Sequence, residues 1–196
     1  FPDIDMSFCI CYSYYIFITE GNSCKMSFLG KVKKKLRNGS WYPFYNTFYE
    51  KNNLDPHMIL LESRSGKALE SNILSLLKEL CQEPYCGFTL VLSVHRDSEN
   101  EIKEKLQKNS IQGVHFVRTG SVAYYRALSR AGYLVNDTSF PGRFIKKEGQ
   151  IYLNTWHGTP LKKMGRDNRP EMVTMGNVQR NLLDSDYLVF PNQFME

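Results

Sequence analysis

Residues 151–167 read IYLNTWHGTPLKKMGRD and contain the signals that decide the fold. The apolar run Ile151–Thr155 is typical of a buried β-strand and leads directly towards His157. Thr159 is a favourable helix N-cap and Pro160 a favourable first helical residue, so we expect a helix to begin there. A strand that runs into a helix start is the unit from which parallel α/β sheets are built.

The same alternation of strand and helix patterns extends over residues 57–196. Apolar runs predict six strands, at Met58–Leu61, Phe88–Val94, Val114–Val117, Tyr133–Asn136, Ile151–Thr155 and Tyr187–Phe190. Helical periodicity and capping signals predict helices at about 69–80, 98–109, 122–131 and 171–184. The capping signals include a capping box at 98–101 and Ser121, which can cap the third of these helices. This pattern indicates a Rossmann-like α/β domain, an open parallel sheet with helices on both faces.

The first part of the chain follows a different pattern. We place a domain boundary near Asp55–Pro56, which gives an N-terminal extension or linker over 1–56 and the α/β domain over 57–196. Residues 38–56, rich in Asn, Gly, Pro and aromatic residues, are interpreted as a connector. The apolar run 6–18 is shorter than the roughly 20 residues that a membrane-spanning helix needs, and it lacks the features of a signal peptide.

A strongly basic segment lies within the extension. Five of the seven residues at 31–37 are positively charged, and the apolar residues around them have roughly helical spacing. Two interpretations remain open at this point. The segment is either a basic amphipathic helix that rests on an anionic membrane or a solvated linker helix.

The charge of the chain is concentrated in one window. Residues 143–180 contain eight basic and three acidic residues, a surplus equal to the net charge of +5 of all 196 residues. A basic surface favours an anionic partner, but no RNA-binding signature or recognition-helix pattern appears, so we do not expect nucleic acid. The five cysteines form no C-x-x-C motif and argue against a disulfide framework and a zinc site.

Ligands of open α/β sheets bind at the carboxyl ends of the strands. Four segments of this chain qualify, namely Glu62–Lys67, His95–Asp97, Asn136–Ser139 and Trp156–Lys163. The first has no Walker A spacing and is either a plain turn or a loop that lines a cleft. The third is either a cap or turn or a part of the cleft, and His95 is interpreted as a hydrogen-bonded loop histidine.

His157 is the candidate with the most specific chemistry. The free N–H groups and dipole of the predicted helix would face the same space as its imidazole, and Lys162 and Lys163 would add positive charge. These charges disfavour the imidazolium, so we expect a neutral ring that can accept a proton from an alcohol. Gly158 leaves room for a phosphate to approach. The alternative is a histidine that only fixes the turn between strand and helix.

Residues 149–167 resemble the signature of the CDP-glycerol:poly(glycerophosphate) glycerophosphotransferase family, the teichoic acid primases and polymerases, almost throughout. Further similarities lie at Leu60–Ser63, Gly66–Lys67, Val135–Asp137, Pro141 and Tyr187–Asn192. The resemblance covers about residues 58–196 and does not extend into 1–56.

The resemblance implies the N-terminal, acceptor-side half of a GT-B type fold, in which two Rossmann-like halves face each other across a cleft. It implies that His157 is the base that deprotonates a terminal hydroxyl of a polyol-phosphate acceptor. That hydroxyl attacks the β-phosphorus of CDP-glycerol or CDP-ribitol, and CMP leaves. Positioning and electrostatic stabilisation dominate such transfers, and the residues assigned to substrate or phosphate binding are Gly158, Thr159, Lys162, Lys163, Asn136 and Glu62.

The resemblance also implies a cellular context. The protein would be a glycerophosphotransferase of teichoic acid or capsule biosynthesis that needs no cofactor and no metal. Its acceptor can be lipid-linked, and it would lie in the cytoplasm, peripheral on the inner face of the cell membrane. The donor-binding half would follow Glu196, so we expect the isolated chain not to turn over CDP-glycerol. The alternative hypothesis is a non-catalytic module that binds an anionic polymer or a membrane surface.

Overall fold

The computed structural model describes residues 42–142, 144–159, 172–189 and 192. The strands in this part are β1 (Asp55–Glu62), β2 (Thr89–Val94), β3 (His115–Arg118), β4 (Ala131–Asn136), β5 (Ile151–Asn154) and β6 (Tyr187–Leu188). The α-helices are α1 (Tyr42–Lys51), α2 (Ser71–Leu80), α3 (Glu99–Lys108), α4 (Val122–Arg130) and α5 (Met172–Asp184). Short 3-10 turns at Arg64–Gly66 and Arg96–Ser98 follow β1 and β2.

All six strands are parallel and form one sheet in the order β3-β2-β1-β4-β5-β6. The chain moves outward from β1 to β3, crosses back through α4, and continues from β4 to β6 on the other side of β1. The strand order therefore reverses between β1 and β4, which is the point where open α/β sheets bind ligands. The predicted Rossmann-like α/β class is confirmed.

The side chains of β1 point alternately into two apolar cores, one on each face of the sheet. Ile59 and Leu61 pack with α2 and α3 on one face of the sheet, and Leu60 packs with α1 and α4 on the other. Leu60 and Leu61 are completely buried, and each such leucine contributes about 1.5–3 kcal/mol of transfer free energy. A strand with apolar residues on both sides must lie at the centre of a covered sheet, which matches the position of β1.

The interpretation of residues 38–56 as a connector is wrong for the part that α1 occupies. Tyr45 of α1 is 2% exposed and belongs to the core beneath α4. Its hydroxyl donates a hydrogen bond of 2.9 Å to the carbonyl of Ile145. The anchoring side chain is aromatic rather than aliphatic, so the helical periodicity of Leu, Ile and Val that marked the other helices is missing here. The domain boundary itself stays a prediction.

Two further expectations concern helix ends. The capping box at 98–101 does not form, because Ser98 ends a 3-10 turn with φ −109° and ψ 2° rather than in the extended conformation of an N-cap. Ser121 does cap α4, since its Oγ accepts a hydrogen bond of 3.1 Å from the main-chain N–H of Tyr124. The basic segment 31–37 and the apolar run 6–18 lie outside the described residues. Within the described ranges, no helix is long and apolar enough to cross a membrane.

Candidate active site at the carboxyl edge of the sheet

A row of polar side chains crosses the sheet where its central strands end. The register places Glu62 of β1 beside Ser93 of β2 and Asn136 of β4, and Asn136 beside Asn154 of β5. We call these four residues the polar row. All four are at most 1% exposed. The row marks the edge at which the predicted site should lie, because it spans the reversal of strand order between β1 and β4.

His157 lies just beyond the end of β5 and is held by the end of β4. Its Nδ1 is 2.7 Å from the main-chain carbonyl oxygen of Asp137. A carbonyl can only accept a hydrogen bond, so Nδ1 carries the proton and donates it. In the neutral ring the lone pair is then on Nε2. His157 is an exposed residue, and Nε2 is the ring nitrogen left to accept a proton from another molecule.

Trp156 supports the ring of His157 from below. The two rings stack at 4.4 Å between centroids, with 28° between their planes. Trp156 is 7% exposed and has a left-handed φ of +50°, an uncommon conformation for a residue other than glycine. Its main-chain N–H donates to Oδ1 of Asn154 at 2.9 Å, which holds the turn in place. This turn buries the indole and directs the next side chain outward.

Gly158 continues the turn with φ +121°, which a residue with a side chain rarely adopts. A Cβ at this position would have no atom within 4 Å among the described residues, so the requirement for glycine is conformational rather than steric. Thr159 is exposed, and its Oγ1 accepts a hydrogen bond of 2.7 Å from Asn192. The helix predicted from Pro160, together with Lys162 and Lys163, lies outside the described residues.

Glu62 is a buried carboxyl group rather than a surface ligand. Burial raises its pKa to about 7, and the nearby charge of Asp137 contributes to this rise. The hydroxyls of Ser93 and Tyr124 lie close enough to oppose this rise in pKa, yet Glu62 Oε2 and the Tyr124 hydroxyl have no hydrogen-bond partner in the described part of the chain. At 1% exposure the carboxyl does not reach the surface at which a substrate would lie. Its assignment to substrate binding stays a prediction.

Asn136 is likewise fully buried and forms part of a hydrogen-bond network. Its Oδ1 accepts a hydrogen bond of 3.0 Å from the hydroxyl of Tyr152, which in turn accepts one of 3.2 Å from Asn154 Nδ2. Burial raises the pKa of Tyr152, so the hydroxyl keeps its proton and remains a donor. Nδ2 of Asn136 has no partner among the described residues. Like Glu62, Asn136 lies beneath the site, and its binding role stays a prediction.

Asp137 is a site residue whose role sequence reasoning did not identify. Its main-chain carbonyl holds His157, as described above, and its carboxylate accepts two further hydrogen bonds. Ser63 Oγ donates to Oδ2 at 2.8 Å, and the main-chain N–H of Arg64 donates to Oδ1 at 2.8 Å. The sequence does place the carboxylate of Asp137 directly after a predicted strand, but residues in such positions also form ordinary caps and turns, so the pattern does not identify this role.

Comparison with known proteins identifies the chain. The family model of CDP-glycerol:poly(glycerophosphate) glycerophosphotransferase matches residues 44–196, which include every described strand of the sheet. The chain belongs to this family. The resemblance of residues 149–167 to this family is thereby confirmed.

The relatives in this glycerophosphotransferase family carry consistent names. The chain is 30% identical over 157 residues to a teichoic acid poly(glycerol phosphate) polymerase of Staphylococcus epidermidis, a match that covers 76% of this chain and 20% of that protein. It is 27% identical over 172 residues to a teichoic acid glycerol-phosphate transferase of Staphylococcus aureus, which covers 83% of this chain and 42% of that protein. The chain thus spans from about a fifth to about two fifths of these relatives.

A solved structure of the family shares the fold. The wall teichoic acid polymerase TagF superposes with a TM-score of 0.61 at 26% identity, over 86% of this chain and 43% of that chain. A histidine-to-asparagine variant of TagF, soaked with CDPG, superposes with a TM-score of 0.63 at the same identity. These matches support the α/β architecture expected for one half of a GT-B type fold.

Proposed function

We propose that the protein containing this chain transfers glycerol phosphate from CDP-glycerol to a hydroxyl of a teichoic-acid-like acceptor, with release of CMP. His157 is the general base of this transfer. The observation that carries the proposal is the position of His157, an exposed residue at the carboxyl edge of the sheet. Its Nδ1 donates to the main-chain carbonyl of Asp137, which leaves the lone pair of the neutral ring on Nε2. Membership of the glycerophosphotransferase family makes a phosphoryl transfer the reaction to expect.

The proposed step breaks one bond and forms one bond. The acceptor hydroxyl oxygen attacks the β-phosphorus of CDP-glycerol, and the bond from that phosphorus to the oxygen bridging the two phosphates breaks. CMP leaves with the bridging oxygen, and Nε2 of His157 takes the hydroxyl proton. A base held by its other ring nitrogen needs no reorientation during the step, which is the arrangement that general-base catalysis favours.

The residues after His157 have the chemistry to hold the phosphates. No atom of the described residues lies within 4 Å of the position that a Cβ would take at Gly158, which leaves room for a phosphate oxygen to approach the main chain. Thr159 offers a hydroxyl, and Lys162 and Lys163 would contribute positive charge near the anionic transition state. Glu62 and Asn136 would act from beneath, through the polar row rather than by direct contact.

The donor assignment rests on relatives. TagF, of which this chain matches 43%, has been solved after a soak with CDPG, and the curated relatives are named for glycerol phosphate rather than ribitol phosphate. Glycerol phosphate is therefore the favoured unit, with CDP-ribitol as the competing donor. The expectation that the isolated chain does not turn over CDP-glycerol stays a prediction.

Acceptor-dependent release of CMP tests this proposal. Full-length protein, CDP-glycerol and a glycerol-phosphate-primed acceptor should give CMP and extended acceptor in equal amounts, and His157→Ala should abolish both. His95→Ala is the matched control, because His95 also follows a strand but its Nδ1 accepts from the N–H of the neighbouring Asp97 rather than donating to a main-chain carbonyl. Unchanged turnover in His157→Ala would rule out its role as the base, and turnover with CDP-ribitol alone would overturn the donor assignment.

We further propose that the protein works at the inner face of the cell membrane, where a lipid-linked acceptor would be presented. The basic segment 31–37 supports this location by its charge alone. Binding to anionic vesicles should weaken with added salt and be lost when Lys31, Lys33, Lys34 and Lys35 are neutralised. Strong vesicle binding without any transfer activity would instead favour the alternative of a non-catalytic binding module.

A further inference from the structure

We propose that Asp137 is the positioning residue of His157. Its main-chain carbonyl sets the tautomer of the imidazole, and its carboxylate anchors the turn from which that carbonyl projects. The catalytic significance of this arrangement rests on the proposed function of His157, whereas the tautomer itself can be measured without any substrate.

Both ends of Asp137 are engaged in short hydrogen bonds. The carbonyl oxygen is 2.7 Å from Nδ1 of His157. The carboxylate accepts from Ser63 Oγ and from the N–H of Arg64, each at 2.8 Å. Asp137 is 4% exposed, so water cannot replace these donors freely, and a buried carboxylate requires such partners to remain charged.

The carboxylate links the ends of two neighbouring strands of the sheet. Ser63 and Arg64 follow β1, whereas Asp137 follows β4. Arg64 has a left-handed φ of +49°, so its N–H is presented by a turn rather than by the continuing ladder. On the other side of Asp137, the N–H of Thr155 donates to the carbonyl of Asn136 at 2.8 Å, which ties the end of β5 to the same place.

Asp137 is therefore fixed from both sides, by β1 through its carboxylate and by β5 through the preceding peptide. These restraints favour the observed direction of the Asp137 carbonyl, towards the ring of His157, and the hydrogen bond of 3.0 Å from Asn154 Nδ2 to the carbonyl of Thr138 adds to them. If the carboxylate is removed, Asp137 loses its hydrogen bonds to Ser63 and Arg64, which are the restraint from β1. The ring then loses its fixed acceptor, and a proton on Nε2 becomes competitive. A ring protonated at Nε2 cannot act as a base towards the acceptor hydroxyl.

The tautomer of His157 can be read from imidazole ¹⁵N chemical shifts. The ¹⁵N-labelled chain would be measured at alkaline pH, and the signals of His157 assigned by their loss in His157→Gln. We expect the proton on Nδ1 in the unmodified chain and a shift towards Nε2 in Asp137→Ala. Asp137→Asn should keep Nδ1–H, because its Oδ1 can accept from Arg64 and its Nδ2 can donate to Ser63 Oγ.

Asp186→Ala is the matched control for loss of an aspartate. Asp186 also accepts from a main-chain N–H, that of Tyr152 at 2.7 Å, and pairs with Lys146, but it precedes β6 instead of following a strand at the carboxyl edge that carries His157. This variant should leave the tautomer of His157 unchanged. Ser63→Ala, which removes one of the two donors to Asp137, provides a milder test should Asp137→Ala not fold, and we expect a partial shift towards Nε2.

Activity of the full-length protein supplies an independent measurement. Asp137→Ala should lower kcat by about 10²-fold through misorientation of the base, with KM for CDP-glycerol within about threefold, and Asp137→Asn should restore most of kcat. An Nε2–H tautomer in the unmodified chain, or an unchanged tautomer in both Asp137→Ala and Ser63→Ala, would overturn the proposal. Full activity in His157→Ala would instead refute the proposed function while leaving the tautomer result intact.

Discussion

Replacement of Glu62 by glutamine should stabilise the chain at pH 8 and have little effect at pH 5. Glu62 is 1% exposed, and its Oε2 has no hydrogen-bond partner among the described residues. Burial raises the pKa of the carboxyl from its ordinary 4.5 to about 7. Glutamine has nearly the same shape but carries no charge, so it removes the energetic penalty of ionising a buried group.

The sign and size of the effect follow from this pKa. Because the folded chain holds the Glu62 proton more tightly than the unfolded chain, the free energy of unfolding falls as the pH rises from 4.5 to about 7. One pKa unit corresponds to about 1.4 kcal/mol, so the fall amounts to about 3 kcal/mol and is complete above pH ~8. Glu62→Gln should abolish this part of the pH dependence.

Urea unfolding followed by circular dichroism at pH 5, 6, 7 and 8 measures the effect. Glu104→Gln is the matched control, since Glu104 is an exposed glutamate on α3. The unmodified chain and Glu104→Gln should lose stability together as the pH rises, whereas Glu62→Gln should lose about 3 kcal/mol less. Parallel curves for all three proteins would show that the pKa of Glu62 is not raised by folding.

Two further predictions concern the packing beneath the site. Gly66→Ala should destabilise the chain by at least about 1 kcal/mol more than Gly113→Ala. Both glycines have positive φ, but a Cβ at Gly66 would lie 2.3 Å from Thr119 Oγ1, whereas one at Gly113 would have no described atom within 4 Å. Equal losses of stability in urea unfolding would argue against this steric difference. Tyr152→Phe should lower the free energy of unfolding by about 1–3 kcal/mol, because it deletes the buried hydroxyl that is hydrogen-bonded to two members of the polar row. An unchanged urea midpoint would contradict that network.

The order and type of the main elements could be predicted from local sequence, and the contacts between strand ends could not. Each apolar run, such as Leu90–Val94, specifies a buried strand by its composition. The contact between His157 and the carbonyl of Asp137 joins residues 20 positions apart. It depends on β5 pairing with β4 in one register, and a local pattern does not contain that information.

The burial of Glu62 could have been predicted from the alternation of side chains along β1. Its place at the end of β1 suggested a residue that faces the cleft. Side chains two positions apart on a strand share a face, so Glu62 lies on the side of Leu60, towards α4, and is buried there with Tyr124. The alternation of side chains, applied to the last residue of the strand, would have indicated burial.

The most direct test of the central claim is the rate of a single turnover at saturating CDP-glycerol with full-length protein. His157→Ala should slow the transfer of glycerol phosphate by about 10²- to 10⁴-fold, the usual contribution of a general base. The dissociation constant for CDP-glycerol should change by less than about threefold, because the proposed base contacts the acceptor hydroxyl rather than the donor. A normal single-turnover rate, or a loss that is explained entirely by weaker donor binding, would contradict the assignment of His157 as the base.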